Sequence, residues 1–174
     1  MTDLKDIKGF AFDIDGVMTD GGILADLEGQ LYRTFDAKDG FAVRMASMNG
    51  YPVAVITGAR SQSVRARYSG NGIPPEDIYL GSRDKVADFD DFCRRYNLER
   101  SQVMFFGDDV PDVPVILAAG IGVVPSDACI EAREAADIVS TFPGGKGCVR
   151  HHMEEVMRVQ GRWNFDVQVY KNKF

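Results

Sequence analysis

The chain has 174 residues, 45% of them apolar and 26% charged, with a formal net charge of −6. That is enough for one domain (1–174) with a sizeable core, and the acidic balance offers no basic footprint for nucleic acid or an anionic membrane. No apolar run reaches membrane-spanning length, "MTDLKDIKGF" is no secretory segment, and three scattered cysteines read as reduced thiols of a cytoplasmic protein.

"GFAFDI" (9–14) reads as a buried strand. Residues 22–35 read as a hairpin turning at Glu28-Gly29, within a flap spanning about 17–36. Phe41, Met45 and Met48 recur at helical spacing, and Gly50 stops that helix. "YPVAVIT" (51–57) is a second buried strand, followed by a helix through Tyr68 with Ser61 as its N-cap. "DIYLG" is a short strand, and the helix from Asp84 to Tyr96 carries Val86, Phe89, Phe92 and Cys93 on one face. "QVMFFG" (102–107) is a strong strand preceding a helix that starts near Pro111. "IGVVP" and "DIVS" are further strands, and a last helix covers Val149 to Val159. The tail (about 161–174) partly alternates at Trp163, Phe165, Val167 and Val169, which fits an extended docking segment or a frayed end. Strands alternating with crossover helices imply an α/β, doubly wound, Rossmann-like parallel sheet. Ligands of such sheets bind at the carboxyl ends of the strands, where "DID", "TG" and "GDD" all fall.

Residues two apart on a strand share a face, so Asp13 and Asp15 point the same way if the strand reaches Asp15. Paired carboxylates there need a cation, a shared proton or water. Each remaining feature alone has an ordinary reading. Thr57 and Gly58 end a strand; Lys85 sits at a helix N-terminus, which disfavours a cation unless an anion is near; Asp109 or Asp112 can cap a helix. Gathered in one site, they make sense as phosphoryl-transfer machinery. Asp13 and Asp108 offer the hard oxygens that Mg²⁺ takes. Asp13 attacks phosphorus to give an aspartyl phosphate, Asp15 moves the proton, and Thr57 and Lys85 hold the equatorial oxygens.

In this order, "DIDG", "TG", the lysine of "SRDK" and "GDDVPD" resemble the four motifs of the haloacid dehalogenase superfamily of phosphatases. The resemblance implies Mg²⁺ held by the side chains of Asp13 and Asp108 and the backbone carbonyl of Asp15, with Asp109 and Asp112 orienting ligands from behind. "DGVMTDGG", "FDAKDGFA", "GDDVPDVPV" and "GGKGCVR" narrow the likeness to the capless branch typified by 3-deoxy-D-manno-octulosonate 8-phosphate phosphatase. The implied substrate is that sugar acid phosphate; its relatives act on nonulosonate 9-phosphates. The octulosonate enzymes usually carry a basic residue just after "TG", whereas Ala59 stands here with Arg60 next.

Spacing supports the capless reading independently, because neither the roughly 40 residues before Thr57 nor the fewer than about 30 between it and Lys85 can hold an extra domain. The hairpin residues Ile23, Leu24, Leu27, Leu31, Tyr32 and Phe35 either pack locally or, as the resemblance implies, join four subunits so that a neighbour closes each site. Lys38, Gly58, Arg60, Lys146 and Arg150 are the remaining candidate contacts to the substrate's phosphate or carboxylate, although the loop "FPGGKGCVR" also reads as a flexible turn. His151 and His152 are adjacent on a helix and read as surface or interface residues, not metal ligands. The rival from another class is a receiver-like phosphorylated signalling domain. Such switches carry a phosphorylated Asp in mid-chain, where this chain has Thr57.

Overall fold

The computed structural model describes residues 2–174. Its sheet is built from β1 (Gly9–Phe12), β4 (Val53–Thr57), β5 (Ile78–Leu80), β6 (Val103–Phe106), β7 (Ile121–Val124) and β8 (Ile138–Val139), all parallel, in the order β5-β4-β1-β6-β7-β8. The four residues of β1, like those of β4 and β6, are all buried, as befits strands covered on both faces. Their alternation sorts the core into two layers. Phe10 and Phe12 of β1, Val53 and Val55 of β4, and Met104 and Phe106 of β6 face helices α1 (Ala37–Met48), α2 (Gln62–Ser69) and α6 (Cys148–Val159). Ala11, Ala54, Ile56 and Phe105 face α3 (Lys85–Arg95), α4 (Val113–Ala118) and α5 (Ile130–Ala135).

Chain order runs outward from β1 through β4 to β5, then returns to β6 on the other side of β1. That reversal opens a crevice at the carboxyl ends of β1, β4 and β6. Phe12 lies opposite Phe106, so Asp13 and Asp108 emerge one and two residues past a common register line.

Between β1 and α1 sits the hairpin of β2 (Leu24–Ala25) and β3 (Leu31–Tyr32), turned at Gly29 with φ of +81°. Its strands are two residues each, and Ile23, Leu24, Leu27, Leu31 and Tyr32 are exposed. Only Phe35 packs on the core. No separate cap is evident among the described residues: α2 and β5 fill the stretch from Thr57 to Lys85.

Several expectations change. Strand β1 ends at Phe12, not Ile14, because the chain turns sharply from Ile14 onward, with the amides of Val17, Met18 and Thr19 all donating to the Ile14 carbonyl. Ser61 stands at the N-cap of α2, but its hydroxyl pairs with Ser63 and not with the backbone. Pro111 lies in a 3₁₀ turn (Val110–Asp112) that precedes α4. The tail docks on its own chain, and its second half is helical: Asp166 caps a helix, α7 (Val167–Lys173), which packs on α1 through Tyr170 hydrogen-bonded to Arg44 at 2.7 Å. His152 is 6% exposed, so it lies on the buried face of α6 beside Met153 and Val156 and not at the surface.

Candidate active site

Asp13 leaves β1 with its amide bonded to the Phe106 carbonyl at 3.0 Å, which ties the first carboxylate to β6. Its Oδ2 lies 2.9 Å from Lys85 Nζ. Lys85 is the first residue of α3, capped by Asp84, and its ammonium also donates to Asp112 Oδ1 at 2.6 Å. A buried lysine at a helix N-terminus is therefore explained by the two carboxylates facing it. Burial alone would lower its pKa, but Asp13 and Asp112 outweigh that and hold it above the ordinary value.

Asp112 has both oxygens engaged, because Oδ2 accepts from the amides of Asp108 at 3.0 Å and Asp109 at 3.3 Å. It thus shapes the loop that presents Asp108. Asp109 turns to its own 3₁₀ turn and caps the Val110 amide at 2.8 Å. Gly16, at φ of +85°, is required by the same packing: a Cβ there would lie 2.0 Å from Asp108 Oδ2. The loop after β1 is braced by the buried Thr19 hydroxyl, which accepts from the amides of Gly16 and Gly21.

Asp13, Asp108 and Asp112 bring carboxylate oxygens within 4.8 Å of one another. Oδ1 of Asp13 and Oδ1 of Asp108 are buried and accept no hydrogen bond. Burial first, then the Asp112 charge, pushes Asp13 up to about 6; the same causes, with Asp13 and Asp109 added, push Asp108 up to about 8. Two orphaned buried oxygens within a carboxylate cluster this close fit a hard divalent cation such as Mg²⁺.

Asp15 goes elsewhere. Its carboxylate is gripped by Arg33 of the hairpin, Nε to Oδ1 at 2.6 Å and Nη2 to Oδ2 at 3.0 Å. The Arg33 side chain is 3% exposed, while that of Asp15 is 30% exposed. Asp13 and Asp15 still open on one cavity of about 270 Å³, lined also by Thr57, Gly58, Arg83, Lys85 and Asp108. Thr57 is buried, accepts from the Ala59 amide at 3.2 Å and keeps its hydroxyl proton to donate.

Other expected contacts lie apart from this cavity within one chain. Arg60 packs over Gly81 and lines an adjoining hollow of about 590 Å³ between the hairpin and the start of α2. Lys38, Lys146 and Arg150 line a separate groove along α6. Glycines 144 and 145 press against the backbone of Gly16 and Thr19, so the loop braces the site from behind. Arg150 is drawn to Glu154 at 2.5 Å and lies over Trp163. Asp39 of the "KDG" segment is buried and accepts from the amides of Gly147 and Arg150, binding α1 to α6.

The sequence reading missed Arg33 and Arg83. Arg83 stands two residues before Lys85 on the loop leaving β5, a strand-end position that could have drawn notice. Arg33 is 18 residues from its partner on an exposed hairpin, and no local pattern signals the pairing.

A model of haloacid dehalogenase-like hydrolases matches residues 59–148. The 3-deoxy-D-manno-octulosonate 8-phosphate phosphatase KdsC of Salmonella typhi is 32% identical over 162 residues, covering 93% of this chain and 85% of the relative.

The chain belongs to the haloacid dehalogenase-like hydrolases.

The family model reaches Lys85 and Asp108 but not Asp13, whereas the full-length relatives cover most of the chain. The KdsC of Haemophilus influenzae is 31% identical, over 91% of this chain and 87% of its own. Among solved structures, the hydrolase resembles the 3-deoxy-D-manno-octulosonate 8-phosphate phosphatase of Moraxella catarrhalis, crystallised with magnesium, phosphate and KDO, with a TM-score of 0.87 and 32% identity, over 92% of this chain and 91% of that one. A haloacid dehalogenase superfamily hydrolase of Legionella pneumophila superposes with a TM-score of 0.90 at 30% identity, over 97% and 92% of the two chains.

Proposed function

We propose that this hydrolase is a Mg²⁺-dependent phosphatase of a sugar acid phosphate, most specifically 3-deoxy-D-manno-octulosonate 8-phosphate, acting through an aspartyl phosphate on Asp13. The observation that carries the chemistry is the pair of orphaned oxygens on Asp13 and Asp108 beside the buried Lys85. The substrate rests on the relatives and on the Moraxella catarrhalis complex. Asp13 and Asp108, with the Asp15 carbonyl, would hold Mg²⁺, which when bound offsets the charge of the carboxylates and of the phosphate.

An Asp13 oxygen forms the new bond to phosphorus as the ester P–O bond breaks, and the leaving alkoxide takes the Asp15 proton. Thr57 and Lys85 stabilise the equatorial oxygens as charge redistributes. Water then gives its proton to Asp15 and attacks phosphorus. The bond to Asp13 breaks and inorganic phosphate leaves. Arg33 holds both Asp15 oxygens, so passing a proton between Asp15 and the leaving group requires that pair to loosen. Arg33→Met is therefore expected to lower kcat by about 10- to 100-fold with KM changed little. Steady-state phosphate release measures it, and an unchanged kcat would reduce Arg33 to a tether for the hairpin.

The exposed apolar hairpin supports a homotetramer in which a neighbour covers each open site. Three free thiols fit a cytoplasmic location, and no helix among the described residues is long and apolar enough to cross a membrane. The deciding assay compares phosphate release from 3-deoxy-D-manno-octulosonate 8-phosphate, nonulosonate 9-phosphates and common hexose phosphates, with Mg²⁺ and with chelator. Preference for the octulosonate ester, lost with chelator, is the expected result. Preference for a nonulosonate ester would reassign the substrate and leave the phosphatase standing; no release from any ester would overturn both.

A further inference from the structure

His152 lies in the buried face of α6, yet neither of its ring nitrogens has a hydrogen-bond partner. Nδ1 stands 3.6 Å from Glu155 Oε2, beyond hydrogen-bond reach. A buried imidazole ordinarily has at least one nitrogen satisfied, and this ring has bonding capacity that the chain itself leaves unused. Its neighbour His151 stands edge-on, with ring centroids 4.7 Å apart and planes at 83°. Adjacent residues on an ideal helix diverge, but these two rings have turned toward each other. Glu155 joins them from the next turn. One ligand atom from each of His151, His152 and Glu155 falls within a common 4.8 Å.

We propose that His151, His152 and Glu155 form a second metal site, for a late first-row divalent cation of the Zn²⁺ class. Two imidazoles are borderline ligands, and with one carboxylate beside them they favour Zn²⁺, Ni²⁺ or Co²⁺ over Mg²⁺. The set thus differs from the all-oxygen cluster at Asp13 and Asp108 by its two nitrogen donors. Glu154 is not a ligand, because Arg150 at 2.5 Å and Arg158 at 2.6 Å already hold it. That pairing also offsets the positive charge those arginines bring to the groove of about 570 Å³ on which His151 and Glu155 open. Lys38 and Lys146 share the groove, so the site binds its cation less tightly than a purely acidic pocket would. Three protein ligands leave a fourth position for water.

The test uses the full chain, stripped of metal and carrying Asp13→Asn and Asp108→Asn so that the all-oxygen cluster cannot compete. Zn²⁺ alone is titrated by calorimetry, and Co²⁺ by its visible absorption. One equivalent is expected, with a Co²⁺ spectrum typical of nitrogen ligation. His151→Ala and Glu155→Gln change exposed side chains, so the fold should persist, and each should weaken binding at least tenfold. In the otherwise unaltered enzyme, the same two changes should leave the Mg²⁺-induced rise in melting temperature as it was. Absence of saturable Zn²⁺ binding, or binding untouched by both substitutions, would overturn the proposal.

Discussion

Replacing Asp13 by Asn is expected to stop turnover, lowering kcat by at least about ten-thousandfold, without unfolding the protein. The carboxylate supplies the attacking oxygen in the proposed mechanism and carries one of the two orphaned oxygens, the other being on Asp108. Labelled substrate quenched in acid should leave phosphate on the wild-type chain and none on the variant. Stability separates lost chemistry from lost fold. In the metal-free protein, burial and the Asp112 charge push the Asp13 carboxyl from 3.8 up to about 6. A raised carboxyl favours folding fully below its unfolded value, and that advantage is lost as pH rises through about 6. At about pH 7.5 the folded chain therefore carries a charge that burial opposes. Asn carries none and can still accept from Lys85, so metal-free Asp13→Asn should melt no lower than metal-free wild type. It should also lose the extra stability that Mg²⁺ confers on the wild type. Substantial turnover by a well-folded variant would rule out Asp13 as nucleophile.

Asp15→Asn is expected to retain substrate binding while kcat falls by about 100- to 10,000-fold, the usual range for a lost acid–base group. The two half-reactions separate with an aryl phosphate, whose leaving group needs no proton. The variant should release one equivalent of phenolate in a burst and then stall, because water still lacks its base. The structure adds a second route to the same defect. The introduced amide would face Arg33 with one acceptor oxygen instead of two, so the bidentate grip seen at 2.6 and 3.0 Å would be halved. Calorimetric binding of inorganic phosphate, unchanged within about threefold, would show that the cavity survives that loosening. Full steady-state activity would remove the acid–base role.

Much of this was legible because it is local. Runs such as "YPVAVIT" and "QVMFFG" are too apolar to be anything but strands covered on both faces, and the alternation with helices sets the parallel order. Asp13, Thr57, Lys85 and Asp108 stand at or just past strand ends or at a helix start, where position along the chain already implies position at the crevice. The same locality misplaced other residues. Lys146 and Arg150 look poised for an anion in "GGKGCVR"; within one chain they line the groove along α6, while the glycines of that loop press against Gly16 and Thr19. The tail reads as half-alternating, yet Asp166 caps a helix that gains its stability from packing on α1.

The amino-acid sequence alone determined the parallel sheet, the strand-end acids and the lysine among them, because hydrophobic period and turn residues act over a few positions. Only the tertiary structure decided which cation each acid meets: Lys85 for Asp13 and Asp112, Arg33 for Asp15. It also turned His151 and His152 toward one another and left the buried ring without a partner. These pairings depend on desolvation and on side chains brought together from distant segments, and neither is encoded in any short stretch of chain.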